Sequence, residues 1–299
     1  PQNVLLVLSD DMGVDMLHVY GVGTDVALTP NLDALARDGV TFRNVWANAV
    51  CSPTRATLLT GRYPLRTGIG RNLALENAHE FTLDASAFTL PRMLDARSAH
   101  GYAHAAIGKW HLSSASTHPN DLGFAHYAGP LLNLGDVGVP PGNPYFSYTK
   151  TVDGRAQHAT KYATTDQVDD ALKWIGAQSG PWFLYLAFNA PHVPLHAPPA
   201  ALHSNKALVS RTADNRRECY KAMIEAMDSE FGRLLAGLPQ AALEHTTILF
   251  MADNGTPDDM ILAPFDAERG KGSVYEEGIH VPLIVRSPLV KRPGSFCEA

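Results

Sequence analysis

A chain of 299 residues with 45% hydrophobic and 18% charged content can bury a full core as one large domain or one and a half. Its net charge of −6, with no run of Lys or Arg, argues against a general nucleic-acid or anionic-membrane binder, so any basic cluster is local. The early apolar run VLLVL at 4–8 is far too short to span a bilayer and lacks a signal-peptide flank, and Cys51, Cys219 and Cys297 show no CxxC spacing and make no disulfide scaffold.

In chain order, short apolar strands alternate with amphipathic helices, the pattern of a mostly parallel α/β sheet. NVLLVLS (3–9) reads as a buried strand ending in Asp10-Asp11. A helix follows over NLDALARDG, with Thr29 as N-cap and Pro30 at its first position. TFRNVWANA (41–49) reads as a strand and SPTRATLLTG as a helix beginning just after Cys51. Thr89-Leu90-Pro91 opens another helix, and AHAAIGKWH (103–111) is a strand running into Lys109 and His111. Residues 112–150, rich in Gly, Pro and Asn, read as a long excursion over one end of the sheet. Helix returns over 162–178, and WFLYLAFN (182–189) is a buried strand leading to Ala190-Pro191-His192. Tyr220, Met223, Ile224, Met227, Phe231, Leu234 and Leu235 recur at three- and four-residue spacing and mark one apolar helix face, so these methionines belong to the core. TTILFMADNG (246–255) ends in Asp253-Asn254-Gly255, and VPLIVRSP (281–288) is one more strand.

The polar residues Asp10-Asp11, Lys109 with His111, His192 and Asp253-Asn254 therefore fall at the carboxyl ends of strands, the edge where open α/β sheets bind ligands. Three carboxylates and an amide make a hard, oxygen-rich set suited to Ca²⁺ or Mg²⁺, and no Cys/His set has zinc spacing. An isolated Asp pair is more commonly a helix cap or solvated turn; with the second acidic strand end, both readings stand. Cys51, at a helix start near Arg55, would be a low-pKa nucleophile if unmodified, against the alternative of a small buried hydrophobe. A lone His192 after a strand is commonly structural, and Lys271 in ERGKGS has the composition of a solvated loop. His18, His79, His100, His104, His118 and His126 carry no assigned role, and Cys219 reads as a buried helix thiol.

Cys51-Ser52-Pro53-Thr54-Arg55 with the following LLTG resembles the C-x-P-x-R signature of the type I sulfatases, whose cysteine is converted to formylglycine. GYAHAAIGKWH (101–111) is similar to their second signature, with His104 where Ser or Thr is usual. LSDDMG, FNAPHVP around His192, ADNG at 252–255 and KGSVYEEGIHVPLIVR from Lys271 follow in family order and span nearly the whole chain. The resemblance implies an alkaline-phosphatase-like α/β fold over residues 1–299, a large mixed sheet between helices. The family's smaller C-terminal antiparallel subdomain has no counterpart here, so the chain is expected to be truncated at that end, and its start at Pro1 to follow a trimmed leader.

What the resemblance implies for function is hydrolysis of an aryl or small sugar sulfate. Asp10, Asp11, Asp253 and Asn254 would bind Ca²⁺, alternatively Mg²⁺, together with an oxygen of modified Cys51. Arg55 would hold the formylglycine hydrate and the metal-site carboxylates. Lys109 and Lys271 would bind the sulfate oxygens. His111 would take the proton of the second hydroxyl, while His192 would bind the ester and, with Lys271, assist departure of the alcohol. The implied partners are a small sulfated substrate and a formylglycine-generating maturation enzyme, with no nucleic acid and no membrane span. A periplasmic or secreted location is expected, the cytoplasm remaining open. The rivals are a phosphonate monoester or phosphodiester hydrolase of the same superfamily and an unmodified, non-catalytic module binding sulfated glycans.

Overall fold

Runs of buried aliphatic residues set the strands, and stretches with one apolar stripe set the helices. The computed structural model describes residues 2–78, 80–98, 101–136 and 142–298; His79 and His100 lie outside the described residues. In chain order the first elements are β1 (Asn3–Ser9), α1 (Pro30–Asp38), β2 (Val40–Phe42), α2 (Cys51–Thr60), α3 (Pro64–Thr67), α4 (Leu90–Arg97), β3 (Ala103–Gly108), α5 (His118–Asp121) and β4 (His126–Gly129). They are followed by β5 (Tyr148–Val152), β6 (Arg155–Ala159), α6 (Ala163–Gly176), β7 (Trp182–Ala187), α7 (Arg216–Gly237), α8 (Gln240–Glu244), β8 (Thr246–Ala252), α9 (Glu276–Ile279), β9 (Leu283–Arg286) and β10 (Ser295–Cys297). None of the described helices is long and apolar enough to cross a membrane.

The chain divides into two units, and β1 contributes to both: residues 1–6 and 50–189 form the first, residues 7–49 and 190–299 the second. In the first unit the strand order is β1-β7-β3-β4-β5-β6, with β7 and β4 parallel to β3 and β5 and β6 antiparallel beyond them. Its core holds Trp110, Phe124, Tyr127, Phe183 and Tyr185, whose rings meet at centroid separations of 5.9–6.3 Å. In the second unit the order is β10-β2-β9-β8-β1; β10 is parallel to β2, whereas β9 is antiparallel to both β2 and β8. There α7 buries Met223, Ile224, Met227 and Phe231, and Phe231 packs 6.1 Å from Phe250 of β8. A mixed sheet flanked by helices is thus the architecture, as expected.

Four local expectations are corrected. The strand expected over 41–49 stops at Phe42, opposite Leu283 at the start of β9, where Pro282 next in line has no N–H to donate; beyond it pairing resumes only as an isolated bridge of Trp46 to His280, flanked by bonds from Val281 N–H to the Val45 carbonyl and from Ala47 N–H to the Ile279 carbonyl. Helix α2 begins at Cys51 itself. Thr29 makes no side-chain cap on α1; Asp228 of α7 accepts the amides of Asn31 and Leu32 instead. The excursion over 112–150 carries α5 and β4 and enters β5, and its Phe124, Tyr127, Tyr145 and Tyr148 are buried, leaving Phe146 the exposed one of the five at 37%.

Candidate active site

Within the second unit, β1 and β8 deliver their polar ends together. Asp253 N–H donates to the Ser9 carbonyl at 3.1 Å and Asp10 N–H to the Ala190 carbonyl at 3.1 Å, so Asp10-Asp11, Asp253-Asn254 and the segment bearing His192 are tied by backbone bonds. Asp11 adopts a left-handed conformation (φ 69°), which short polar side chains tolerate better than most. Its carboxylate accepts the Asn254 Nδ2–H at 2.9 Å and the Lys271 ammonium at 2.6 Å, while its own amide donates to Asp253 Oδ1 at 3.2 Å. His192 Nε2 stands 3.8 Å from Asp11 Oδ2, and its Nδ1–H donates to the Val193 carbonyl at 2.8 Å. Tyr220 of α7 donates its hydroxyl to the Asp11 carbonyl; burial holds that phenol well above its ordinary pKa.

Asp10, Asp11, Asp253 and Asn254 are all buried, and ligand atoms of Asp10, Asp11 and His192 lie within 4.8 Å of one another. With both Nδ2 bonds of Asn254 directed to Asp11 Oδ1 and the Gly255 carbonyl, its Oδ1 is left buried with no hydrogen-bond partner. An unsatisfied buried acceptor costs about 1–3 kcal/mol. Within this cluster Lys271 pairs with the Asp11 carboxylate. A hard divalent cation would satisfy the Asn254 oxygen and is the natural counterion of clustered carboxyl groups, so the residues fit an oxygen-ligated Ca²⁺ or Mg²⁺.

Within the first unit, Cys51 is the first residue of α2 and fully buried. Ser52 fastens the neighbouring loop: its Oγ accepts the Leu73 amide at 3.1 Å, and its own amide donates to Asn72 Oδ1 at 3.2 Å. Arg55, one turn along, is 0% exposed and donates from Nη1 to the Lys109 carbonyl at 2.8 Å. Strand β3 then ends at Gly108 (φ 97°), where a Cβ would sit 1.9 Å from the Ala187 carbonyl; only glycine lets β3 and β7 approach so closely at this bend. Lys109 follows, 1% exposed. His111 is held at φ 59°, a sparsely populated conformation for a non-glycine residue and a form of strain that gathers at functional sites. Its Nε2–H donates to the Leu73 carbonyl at 2.8 Å, which leaves Nδ1 as the basic nitrogen of the neutral ring.

The sulfatase family model matches residues 2–295, essentially the whole chain. The chain belongs to the sulfatase family. It is 32% identical to the N-acetylgalactosamine-6-sulfatase of Rattus norvegicus, a match covering 96% of this chain and 57% of that protein, and 27% identical to arylsulfatase J of Mus musculus, covering 99% and 50%. Among solved structures it is similar to Ps i-CgsB in complex with k-i-k-neocarrahexaose, with a TM-score of 0.82, 29% identity, and coverage of 99% of this chain and 68% of that one. This sulfatase-family chain spans about half the length of the curated relatives it matches.

Each expected residue of this sulfatase domain has a place. Asp10, Asp11, His192, Asp253, Asn254 and Lys271 gather in the second unit; Cys51, Arg55, Lys109 and His111 lie along α2 and the end of β3 in the first. His104 is buried and bonded through Nε2 to Asp95 at 2.7 Å, a packing role. Asn72 and Leu73, which hold Ser52 and His111, and Thr256 and Asp15, which lie beside the carboxylates, escaped sequence reasoning, and no motif or period marks them; Tyr220 was read only as part of the apolar face of its helix, its hydroxyl bond to Asp11 leaving no trace in the sequence.

Proposed function

We propose that this chain hydrolyses the sulfate monoester of a sugar, with aryl sulfates as surrogate substrates, releasing inorganic sulfate and the alcohol. The observation that carries the reading is the all-oxygen cluster of Asp10, Asp11, Asp253 and Asn254, with its orphaned Asn254 Oδ1, in a chain matching the sulfatase family throughout. The sugar preference rests on the relatives: one is named an N-acetylgalactosamine-6-sulfatase, and one similar structure holds k-i-k-neocarrahexaose.

In this reading Cys51 is matured to formylglycine, whose hydrate offers two hydroxyls on one carbon. A divalent cation held by the four oxygen-bearing residues and modified residue 51 would supply Lewis acidity toward the sulfate and the attacking hydroxyl. One hydroxyl gives its proton to solvent water, and its oxygen attacks sulfur as the bond from sulfur to the alcohol oxygen breaks, leaving the sulfate on residue 51. Lys109 and Lys271 bind the sulfate oxygens as their charge shifts. His192, with Nδ1–H committed to Val193, carries at Nε2 the proton that the departing alcohol needs, assisted by Lys271. His111 Nδ1 then takes the proton of the second hydroxyl; a C=O bond forms, the bond from carbon to the sulfate oxygen breaks, and water restores the hydrate. Arg55 holds the Lys109 backbone and the hydrate in position.

Steady-state kinetics of protein co-produced with a formylglycine-generating enzyme, on matched sugar sulfates, aryl sulfates and aryl phosphonate esters, test the reading. Sulfate release with the highest kcat/KM on a sugar sulfate is expected. A clear preference for phosphorus would transfer the chain to phosphonate or phosphodiester hydrolysis, and sulfated-glycan binding without turnover would make it a binding module.

A further inference from the structure

We infer that Thr256 and Asp15 are positioning residues for the proposed metal site, setting the register of the two loops that supply its ligands. The inference rests on the metal reading above. Three successive amides after β1 are laced to the loop after β8: Asp11 N–H donates to Asp253 Oδ1 at 3.2 Å, Met12 N–H to the Asn254 carbonyl at 3.2 Å, and Gly13 N–H to Thr256 Oγ1 at 3.0 Å. The first two bonds involve proposed ligands themselves. The third is made by a side chain with no metal role, two residues beyond Asn254 on one loop and two beyond Asp11 on the other.

A hydroxyl can rotate, so what fixes this one matters. Thr256 donates its own hydrogen to Asp15 Oδ1 at 2.7 Å, which turns a lone pair toward Gly13 N–H and locks the clamp in one orientation. Burial pushes the Asp15 carboxyl above the usual range, and the Thr256 bond is the foremost influence opposing it. Space for the triangle comes from Gly13, where a Cβ would stand 2.5 Å from Asp15 Oδ1 and 3.0 Å from Thr256 Oγ1. Gly13 has an ordinary φ of −79°, so room rather than backbone freedom is what glycine provides. The same threonine reaches the sulfate-binding side, because its carbonyl accepts the Lys271 amide at 2.9 Å. Fully buried, Thr256 thus connects Asp11, Asn254 and Lys271 without touching metal or substrate. Partners of this kind typically change metal affinity by about 10–100-fold when removed.

The test is calorimetric titration of Ca²⁺ into the metal-stripped full chain, with metal-free thermal unfolding measured alongside. Thr256→Val should weaken Ca²⁺ binding about tenfold or more, with the activity regained at saturating Ca²⁺ and with Thr256→Ser restoring wild-type affinity. Asp15→Asn keeps the acceptor and should bind Ca²⁺ like wild type. Should Thr256→Val fail to fold, Gly13→Ala, which inserts a methyl group into the clamp, carries the same expected loss. Equal Ca²⁺ affinity in wild type and Thr256→Val would overturn the inference. So would a Thr256→Ser variant as weak as Thr256→Val, since methyl packing rather than the hydroxyl would then matter. A wild-type chain that binds neither Ca²⁺ nor Mg²⁺ would instead remove the metal reading itself.

Discussion

Asp228→Ala should destabilise the second unit by an amount that grows as the pH falls. Asp228 Oδ1 accepts the Leu32 amide at 2.8 Å, and Oδ2 accepts the Asn31 amide at 3.1 Å and its side-chain Nδ2 at 2.8 Å. Removing these acceptors strips the cap from α1 and orphans a buried amide, a gross loss of about 2–5 kcal/mol. The carboxylate is itself costly to bury: burial pushes its pKa up to about 6, opposed by the bonds from Leu32 and Asn31. Against an unfolded value of about 4, that returns about 3 kcal/mol at neutral pH, so the net penalty at pH 7.5 falls between about −1 and 2 kcal/mol. Between those two pKa values the folded chain binds more protons than the unfolded one. The stabilisation due to Asp228 is therefore complete below about 4 and lost as pH rises through about 6. Urea unfolding of both proteins at pH 7.5 and 4.5 should show the Asp228→Ala penalty larger at pH 4.5 by about 2 kcal/mol. A penalty that stays constant, or shrinks on acidification, would refute the reasoning.

The opposite slope is expected at His196, whose imidazole is pushed down to about 4 by burial despite its bond to the Pro194 carbonyl. Here the unfolded chain binds the extra proton, so the stabilisation is present above about 6.5 and lost as pH falls toward 4; His196→Phe should flatten urea midpoints across that window, and an unaltered acid slope would contradict this. Chelation should abolish turnover, and Ca²⁺ or Mg²⁺ rather than Zn²⁺ should restore it, with Asp10→Ala and Asp253→Ala losing metal and activity together. Elemental analysis that finds stoichiometric zinc in active protein would withdraw the all-oxygen assignment.

Much of the site was legible because its polar residues interrupt buried apolar strands. Asp10-Asp11 closes β1, Lys109 follows β3 and Asp253-Asn254 closes β8, so a run of aliphatic residues ending in acids or a lysine announces both a strand and the edge it reaches. The β5–β6 hairpin was also written locally, in Asp153-Gly154 with φ of 45° and 81°, a turn signal that went unread in the stretch between the 112–150 excursion and the helix over 162–178. Other features had no local trace. Thr29 satisfies the rule for an N-cap, yet Asp228, nearly two hundred positions away in sequence, holds the α1 amides. Thr256 and Gly13 are likewise joined only by folding, and hydroxyls of this kind carry no periodicity. Strand β10 is three residues long and takes its conformation from pairing with β2, too little sequence to show a pattern. The tyrosines and phenylalanines of the 112–150 segment have the composition of a stacking surface, and it is their burial that assigns four of the five to packing.

The central claim is that residue 51, converted to an aldehyde hydrate, acts as nucleophile and then frees itself with a second hydroxyl. Cys51→Ser offers one hydroxyl at the buried start of α2, so it can attack sulfur once and has nothing with which to expel the sulfate. Peptide mass spectrometry of Cys51→Ser after incubation with a sulfate ester is the direct measurement. A stable mass increase of one SO₃ group on the peptide carrying the substitution is expected; sustained multiple turnover by Cys51→Ser, with no adduct, would contradict the formylglycine cycle and assign the attack to water.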